Sequence, residues 1–238
     1  MRLAIETATD RASVALGASA ADAVERTIVG ARRQAAELLP AIDALLRERG
    51  VGLAAVTSIV LSDGPGSFTG LRVGAAVAKA LVQARELPLW IAPSLLVRAR
   101  GVARPGETVL AVANALRGDL YAAAYRFGDG TIQEVLAPSV YRPAALVERR
   151  LRPDRLVGEA PAVETRVLEE GLERRMITGD EGAPRARVLL GLPDEDGGAA
   201  RVDPVEGWQP EYGRPAEAQA RWEAAHGRPL PDSVGHAG

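Results

Sequence analysis

Cysteine is absent from the 238 residues, which excludes disulfides, thiolate catalysis and cysteine-built metal sites. Histidine is nearly absent too: the two are His226 and His236, both in a Pro/Gly-rich tail, so the body holds no histidine metal centre. Lys79 is the sole lysine beside the many arginines, a bias that we read as genome composition rather than phosphate recognition. A net charge of −2 gives no global pull toward nucleic acid. No apolar run approaches the ~20 residues of a membrane span. The chain opens directly on a strand pattern, with no basic and apolar leader, so the expected compartment is the cytoplasm. With 47% hydrophobic and 25% charged residues, the remainder is that of an ordinary globular protein with ample length for a core.

One stretch organises the chain. Ser62-Asp63-Gly64-Pro65-Gly66-Ser67-Phe68-Thr69-Gly70 follows an apolar β-type run, Val56 to Leu61, and opens into a helical pattern that reaches about Arg85. Its glycines and proline mark a tight turn with exposed backbone. Ser67 or Thr69 is placed to cap the helix. The spacing is not that of a P-loop, and no lysine follows the glycines, so spacing alone favours an unliganded turn over an anion cradle. Within the helix, Gly70, Gly74 and Ala78 recur every fourth residue on one face. Small residues at that spacing admit another backbone, either the protein's own sheet or a foreign helix.

Around this stretch the elements alternate regularly. Leu3–Ile5, Ser13–Leu16 and Ala23–Val29 read as three strands with hairpin connections. A helix follows from about Gln34 to Arg49, with Leu38, Leu39, Ile42, Leu45 and Leu46 at helical spacing, and Pro40 is expected to kink it or lie near its first turn. Pro88–Ala92 gives a further strand, and Ser94 is expected to cap a short helix. After a boundary at Gly101–Gly106 the pattern restarts with Val109–Ala113, a turn at Arg117-Gly118-Asp119, and Leu120–Phe127. The expected domains are residues 1–101, a smaller second lobe at 102–200, and a C-terminal segment at 201–238 whose last part is disordered. Trp208 and Tyr212 are placed to pin part of that segment to the body.

The glycine stretch with its continuation Leu71-Arg72-Val73-Gly74 resembles the signature G-P-G-S-F-T-G-L-R-x-G of the TsaB (YeaZ) family. Residues 1–17, MRLAIETATDRASVALG, are similar to that family's opening I-L-x-[DE]-T-S-T-x-x-x-S-V-A-L, and Glu37-Leu38-Leu39-Pro40-Ala41-Ile42-Asp43 to its E-x-L-L-P-x-I-D. Agreement covers roughly residues 1–126. The resemblance implies an α/β actin-like ATPase (RNase H-like) fold of two lobes with mixed sheets, the second reduced. It also implies a part in making threonylcarbamoyladenosine in tRNA, as the non-catalytic partner that binds and activates TsaD, with TsaE supplying an ATPase. The interface so implied comprises Leu38, Leu39, Pro40, Gly70, Arg72, Gly74 and Ala78. A second copy takes the partner's place when TsaD is absent, tRNA is reached indirectly through the complex, and no membrane is involved.

The chemistry-bearing residues depart from the actin-like pattern. Glu6-Thr7-Ala8-Thr9 stands where actin-like ATPases place a D-x-G-T phosphate loop, but without its glycine. At Asn114-Ala115-Leu116-Arg117-Gly118-Asp119, where the family more often shows D-A-R-x-x-E-V-Y, Asn114 replaces the acid, Leu116 the arginine and Asp119 the glutamate, while Tyr121 is kept. Ala35-Ala36 stands where relatives often have His-Ser, and Gly213 replaces the leucine of P-x-Y-L-R in Pro210-Glu211-Tyr212-Gly213-Arg214. The expectation is therefore no catalytic residue, no metal and no cofactor of its own, with ATP and magnesium at the partner interface if anywhere. Glu6, Thr7, Thr9, Gly64, Gly66, Ser67 and Thr69 are the candidates for nucleotide contact. The alternatives are a stand-alone ATPase or small-molecule kinase of the same fold, and a homodimeric interaction module. Arg142, Arg149, Arg150, Arg152 and Arg155 cluster in the second lobe; Glu148 and Asp154 dilute them, and a solvated helical face is favoured over an RNA contact.

Overall fold

A computed structural model describes residues 1–30 and 33–213. The chain begins with an antiparallel meander, β1 (Arg2–Glu6), β2 (Arg11–Gly17) and β3 (Val24–Val29), followed by helix α1 (Gln34–Glu48), β4 (Ser58–Ser62), α2 (Phe68–Arg85), β5 (Leu89–Ala92) and α3 (Ser94–Val102). The same order then repeats as β6 (Thr108–Asn114), β7 (Leu120–Phe127), β8 (Ile132–Tyr141), α4 (Pro143–Glu148), β9 (Arg155–Gly158), α5 (Ala162–Leu172), β10 (Met176–Ile177) and α6 (Gly179–Gly182). Short α7 (Ala186–Leu189) and β11 (Ala200–Val202) complete the described elements.

The sheets share one topology. The first runs β11-β5-β4-β1-β2-β3 and the second β10-β9-β6-β7-β8. Each joins an antiparallel meander to parallel strands reached through a helix, with β1 parallel to β4 and β6 parallel to β9. Two successive meander-plus-crossover lobes are the duplicated actin-like plan, as expected from the sequence. β1 and β4 are buried along nearly their whole length because helices or loops cover both faces.

The molecule is layered. On the outer face of the first sheet, Leu38, Ile42 and Leu45 of α1 and Ala75, Ala78 and Val82 of α2 pack on Leu3, Ile5, Val14 and Leu61. Between the sheets, Leu95, Leu96 and Val97 of α3 and Leu189 of α7 meet Ala4 and Val60 on one side and Val109 and Ala111 on the other. Outside the second sheet, Leu146 of α4 and Leu168 of α5 cover Leu110, Val112 and Leu120. The layers place α1 and α2 on one side of the molecule and α4 and α5 on the other.

Local details follow the residues. Pro40 lies inside α1 with Ala36 and Pro40 both exposed, so the carbonyl that loses its helical donor faces water. Ser67 caps α2 by accepting from the Gly70 N–H. Ser94 does not cap α3: its hydroxyl donates to the Pro65 carbonyl and its N–H to the Gly64 carbonyl, and Pro93 is the cap residue. α2 and α5, equivalent in the two lobes, both end on a left-handed glutamate, Glu86 and Glu173. β11 pairs with β5, and α7 packs on β1, β2 and β4, so the chain is back against the first sheet by Ala186. The expected disordered tail, Arg214, His226 and His236 fall outside the described residues. Among the described residues, no helix is long and apolar enough to cross a membrane.

Candidate functional site

Three turns meet at the C-terminal ends of the central strands: the β1–β2 hairpin loop Thr7–Asp10, the glycine loop Asp63–Ser67, and the β6–β7 hairpin loop Ala115–Asp119. Between the lobes they border a cavity of about 520 Å³ whose walls include Thr9, Pro65, Ser67, Ser94, Asn114 and Leu116. Such a crevice beyond the carboxyl ends of parallel strands is where α/β folds place ligands.

The first two turns are locked together. The Ser67 N–H donates to the Ala8 carbonyl at 2.7 Å. A side chain added at Gly66 would lie 2.3 Å from the Ala8 carbonyl oxygen, one at Gly70 2.1 Å from the Thr7 carbonyl oxygen, and one at Gly74 2.3 Å from Thr7 Oγ1. These glycines are required by the close approach of the protein's own hairpin. That corrects the expected partner ridge: Gly70, Gly74 and Ala78 are buried against the first sheet and its hairpin, and so is Leu38. The other interface candidates lie outside. Leu39 is 57% exposed, and Pro40 and Arg72 also face solvent.

The nucleotide-contact candidates divide in the same way. Glu6 and Thr7 are completely buried, and neither lines the cavity. Glu6 Oε1 accepts from the Ala8 N–H at 2.7 Å. Burial pushes the Glu6 carboxyl up to about 7, partly offset by the nearby Ser62 hydroxyl and the Ala8 N–H, and by the positive field of Arg98. Ser62 is close enough to exert that pull but outside hydrogen-bonding geometry, since Glu6 Oε2, Thr7 Oγ1 and Ser62 Oγ have no hydrogen-bond partner among the described residues. Thr9, Gly66 and Ser67 line the cavity, whereas Gly64 is buried beneath the loop and Thr69 is exposed on α2. The backbone donor of Ser67 is committed to Ala8, and carbonyl oxygens fill the space beside the glycines, an arrangement that does not fit a phosphate cradle. Among the described residues there is no cluster of acids able to hold a metal ion.

One cavity residue that the sequence did not single out is Arg98. Arg98, 4% exposed, reaches the wall from α3, donates to the Gly182 carbonyl at 2.9 Å, and lies 3.5 Å from Glu159. Burial holds its guanidinium below the usual value, against the opposing pull of Glu159 and Glu6. The signal was a lone cation inside Leu95-Leu96-Val97-Arg98-Ala99, where a solvated arginine has no place. Asp63, mostly buried, is pushed up to about 6, chiefly by burial, with its own N–H lowering it and Glu211 raising it. In the second hairpin, Asn114 Oδ1 accepts from the Leu116 N–H at 2.8 Å, and Leu116 and Arg117 hold left-handed backbone at φ 64° and 57°.

The C-terminal segment crosses this region. Trp208 packs on the first-lobe core and under Lys79, whose ammonium lies 5.7 Å from its ring centre. The Glu211 N–H donates to the Asp63 carbonyl at 2.7 Å, and Tyr212 packs on Phe68 with ring centres 4.7 Å apart. Both aromatic residues expected to pin this segment therefore do so.

The chain matches the family model described as "TsaD: tRNA N6-adenosine threonylcarbamoyltransferase" over residues 28–175. It is 27% identical to the tRNA threonylcarbamoyladenosine biosynthesis protein TsaB of Bacillus subtilis, over 77% of this chain and 81% of that one. With the TsaB protein of Escherichia coli the identity is 33%, over 58% of this chain and 63% of that one. The solved structure of YeaZ from Pseudomonas aeruginosa superimposes with a TM-score of 0.63 at 28% identity, covering 81% of this chain and 89% of that one.

Proposed function

This chain belongs to the family described as TsaD: tRNA N6-adenosine threonylcarbamoyltransferase, with relatives named TsaB, and on that premise we propose that it is the non-catalytic partner that binds and activates TsaD in the threonylcarbamoylation of tRNA adenosine. The observation that carries the reading is the sealed first hairpin. Glu6, the carboxylate at its start, is wholly buried and bonded to Ala8, so it does not reach a ligand in the cavity, whereas Asp10 at the far end of the loop is exposed and borders it. The catalytic groups then come from the partner, and this chain contributes a surface that favours the partner's active arrangement.

That surface is the solvent side of α1 and α2. Ala35, Leu39, Pro40, Arg72 and Ala76 are exposed there, and Val73 and Val77 are half-buried. These positions form an apolar strip with one guanidinium, flanked by the charged pair Asp43 and Arg47, suited to a second helix pair. In isolation the same face pairs with a second copy. Nucleotide and magnesium belong at the junction with TsaD rather than on this chain's own loops, and TsaE and tRNA join through the complex.

Leu39→Asp combined with Arg72→Glu tests the interface. Both side chains are exposed, so the thermal midpoint is expected to stay within about 2 °C of the wild type. Co-elution with TsaD on a sizing column is expected to be lost. A variant that still co-elutes at the wild-type ratio overturns the assignment. The cavity between the lobes favours a second reading, a stand-alone ATPase or small-molecule kinase. Saturable phosphate release by the purified chain, lost on Glu6→Ala, would establish it.

A further inference from the structure

The second lobe carries a feature that the partner role leaves unused. Where α4 and α5 end, a surface hollow of about 430 Å³ is lined by Arg150, Arg152 and Arg174, with Glu173 the one acid among its walls and Leu151, Pro153 and Leu172 supplying apolar surface. Arg149 stands beside Arg150 with its guanidinium 5.1 Å from the centre of the Tyr141 ring. The structure thus changes the membership of the arginine cluster seen in the sequence. Arg155 leaves it, being ion-paired with Glu107 at 2.6 Å, and Arg174 joins it from the far end of α5.

The contrast with Arg155 is informative. Arg150, Arg152 and Arg174 are exposed and form no ion pair among the described residues. Two neighbouring acids are engaged elsewhere: Asp154 accepts from the Thr108 N–H, and Glu169 from the Met176 N–H while pairing with Arg175. Helix-end electrostatics explains part of this, since Arg174 donates to the Glu173 carbonyl at the end of α5. It does not explain Arg152, which lies beyond a helix of only six residues. Unpaired guanidiniums gathered around one apolar hollow repel one another, and a polyanion relieves that repulsion.

We propose that this hollow is a contact for the sugar–phosphate backbone of RNA, with Arg150, Arg152 and Arg174 meeting successive phosphates and the apolar floor receiving a ribose or base edge. The inference rests on the function proposed above, in which the RNA is the tRNA being modified. The guanidiniums line the hollow rather than a single point, which suits a string of phosphodiesters better than one free phosphate. α4 is too short to offer the amphipathic face that holds a protein on a lipid surface. The hollow lies in the outer layer opposite α1 and α2, so RNA and protein partner can be bound together.

The test is fluorescence anisotropy with a labelled tRNA transcript, titrated with the full chain alone and with its TsaD complex between about 50 and 200 mM KCl. Arg150→Ala/Arg152→Ala/Arg174→Ala is compared with a control losing the same charge elsewhere, Arg104→Ala/Arg126→Ala/Arg201→Ala. The hollow variant is expected to bind about 30-fold more weakly and to lose about 2 from the slope of log K against log salt, across tRNA sequences alike. The control is expected to change by less than about 3-fold, and both variants should co-elute with TsaD. An unchanged slope, an equal loss in the control, or no wild-type binding at the lowest salt overturns the proposal. So does binding of inorganic phosphate or of anionic vesicles without binding of tRNA. If the wild-type chain does not assemble with TsaD, the partner reading fails while the chain-alone titration still decides this one.

Discussion

The two lobes repeat one topology but treat the same turn differently. In the first, α2 is 18 residues long and lies against the β1–β2 loop so closely that Gly66, Gly70 and Gly74 have no room for a side chain. In the second, α5 has 11 residues and the corresponding β6–β7 loop stands clear, with Leu116 53% exposed. Thr7 and Ala8 of the first loop have become part of the core with Glu6 buried beneath them, while Thr9 and Asp10 still border the cavity. The second borders the same cavity from the other lobe, with Leu116 open to solvent. A duplicated fold can thus keep its scaffold while one half closes a turn that the other leaves open.

The largest effect is expected where that closure is broken. Gly70→Ala sets a methyl against the Thr7 carbonyl, a backbone atom that cannot rotate away. We expect a loss of about 3 kcal/mol or more, read as a fall in the urea midpoint at constant m-value. The second-lobe counterpart is Gly118→Ala, where the added carbon meets nothing nearer than Glu164 Oε1 at 3.5 Å but the backbone is left-handed at φ 80°. Conformation alone then costs about 1 kcal/mol. Equal losses would show that the first loop is no more tightly closed than the second.

Next in size is the charge beneath the first loop. Glu6 titrates near 7 in the folded protein against an ordinary 4.5, so the native state holds the proton more tightly than the unfolded chain. Its contribution is complete below the unfolded value and is lost as pH rises through the folded one, about 3 kcal/mol in all. Asp63, near 6 when folded, adds a loss of the same sign at lower pH. Glu6→Gln should match the wild type at about pH 4, exceed its stability by about 3 kcal/mol at about pH 8.5, and leave only the shallower Asp63 slope. Parallel pH profiles for the two proteins would mean that Glu6 is not the buried acid.

Much of this architecture was legible in the residues, and the limits have physical causes. The alternation of strands and amphipathic helices fixes the element order, and the glycine stretch announces a position intolerant of side chains. Neither names the neighbour. Gly70, Gly74 and Ala78 fit a foreign helix and an internal hairpin equally well, because four-residue spacing reports only that something comes close. Leu38 and Leu39 are adjacent apolar residues on one helix; periodicity admits both to the core, whereas the structure buries the first and exposes the second. The hollow at Arg150 was only half visible, because Arg174 comes to it from another helix. Contacts between distant segments leave no periodic trace in either one.

The smallest expected effect concerns the strap that holds the first loop from outside. Tyr212 lies on Phe68 with its ring tilted by 44°, and Glu211 bonds to Asp63 just before the loop turns. Removing the ring by Tyr212→Ala forfeits about 1 kcal/mol and lowers the thermal midpoint by about 2–4 °C. The effect should be local, because Trp208 anchors the strap independently through the first-lobe core and Lys79 donates to the Glu206 carbonyl. Amide exchange is therefore expected to quicken at Asp63 and Ser67, while the β6–β7 loop, which lacks the Tyr212 ring contact, keeps its wild-type rates. Uniform quickening across both lobes would mean that the strap stabilises the whole fold, and the difference between the loops would then owe nothing to it.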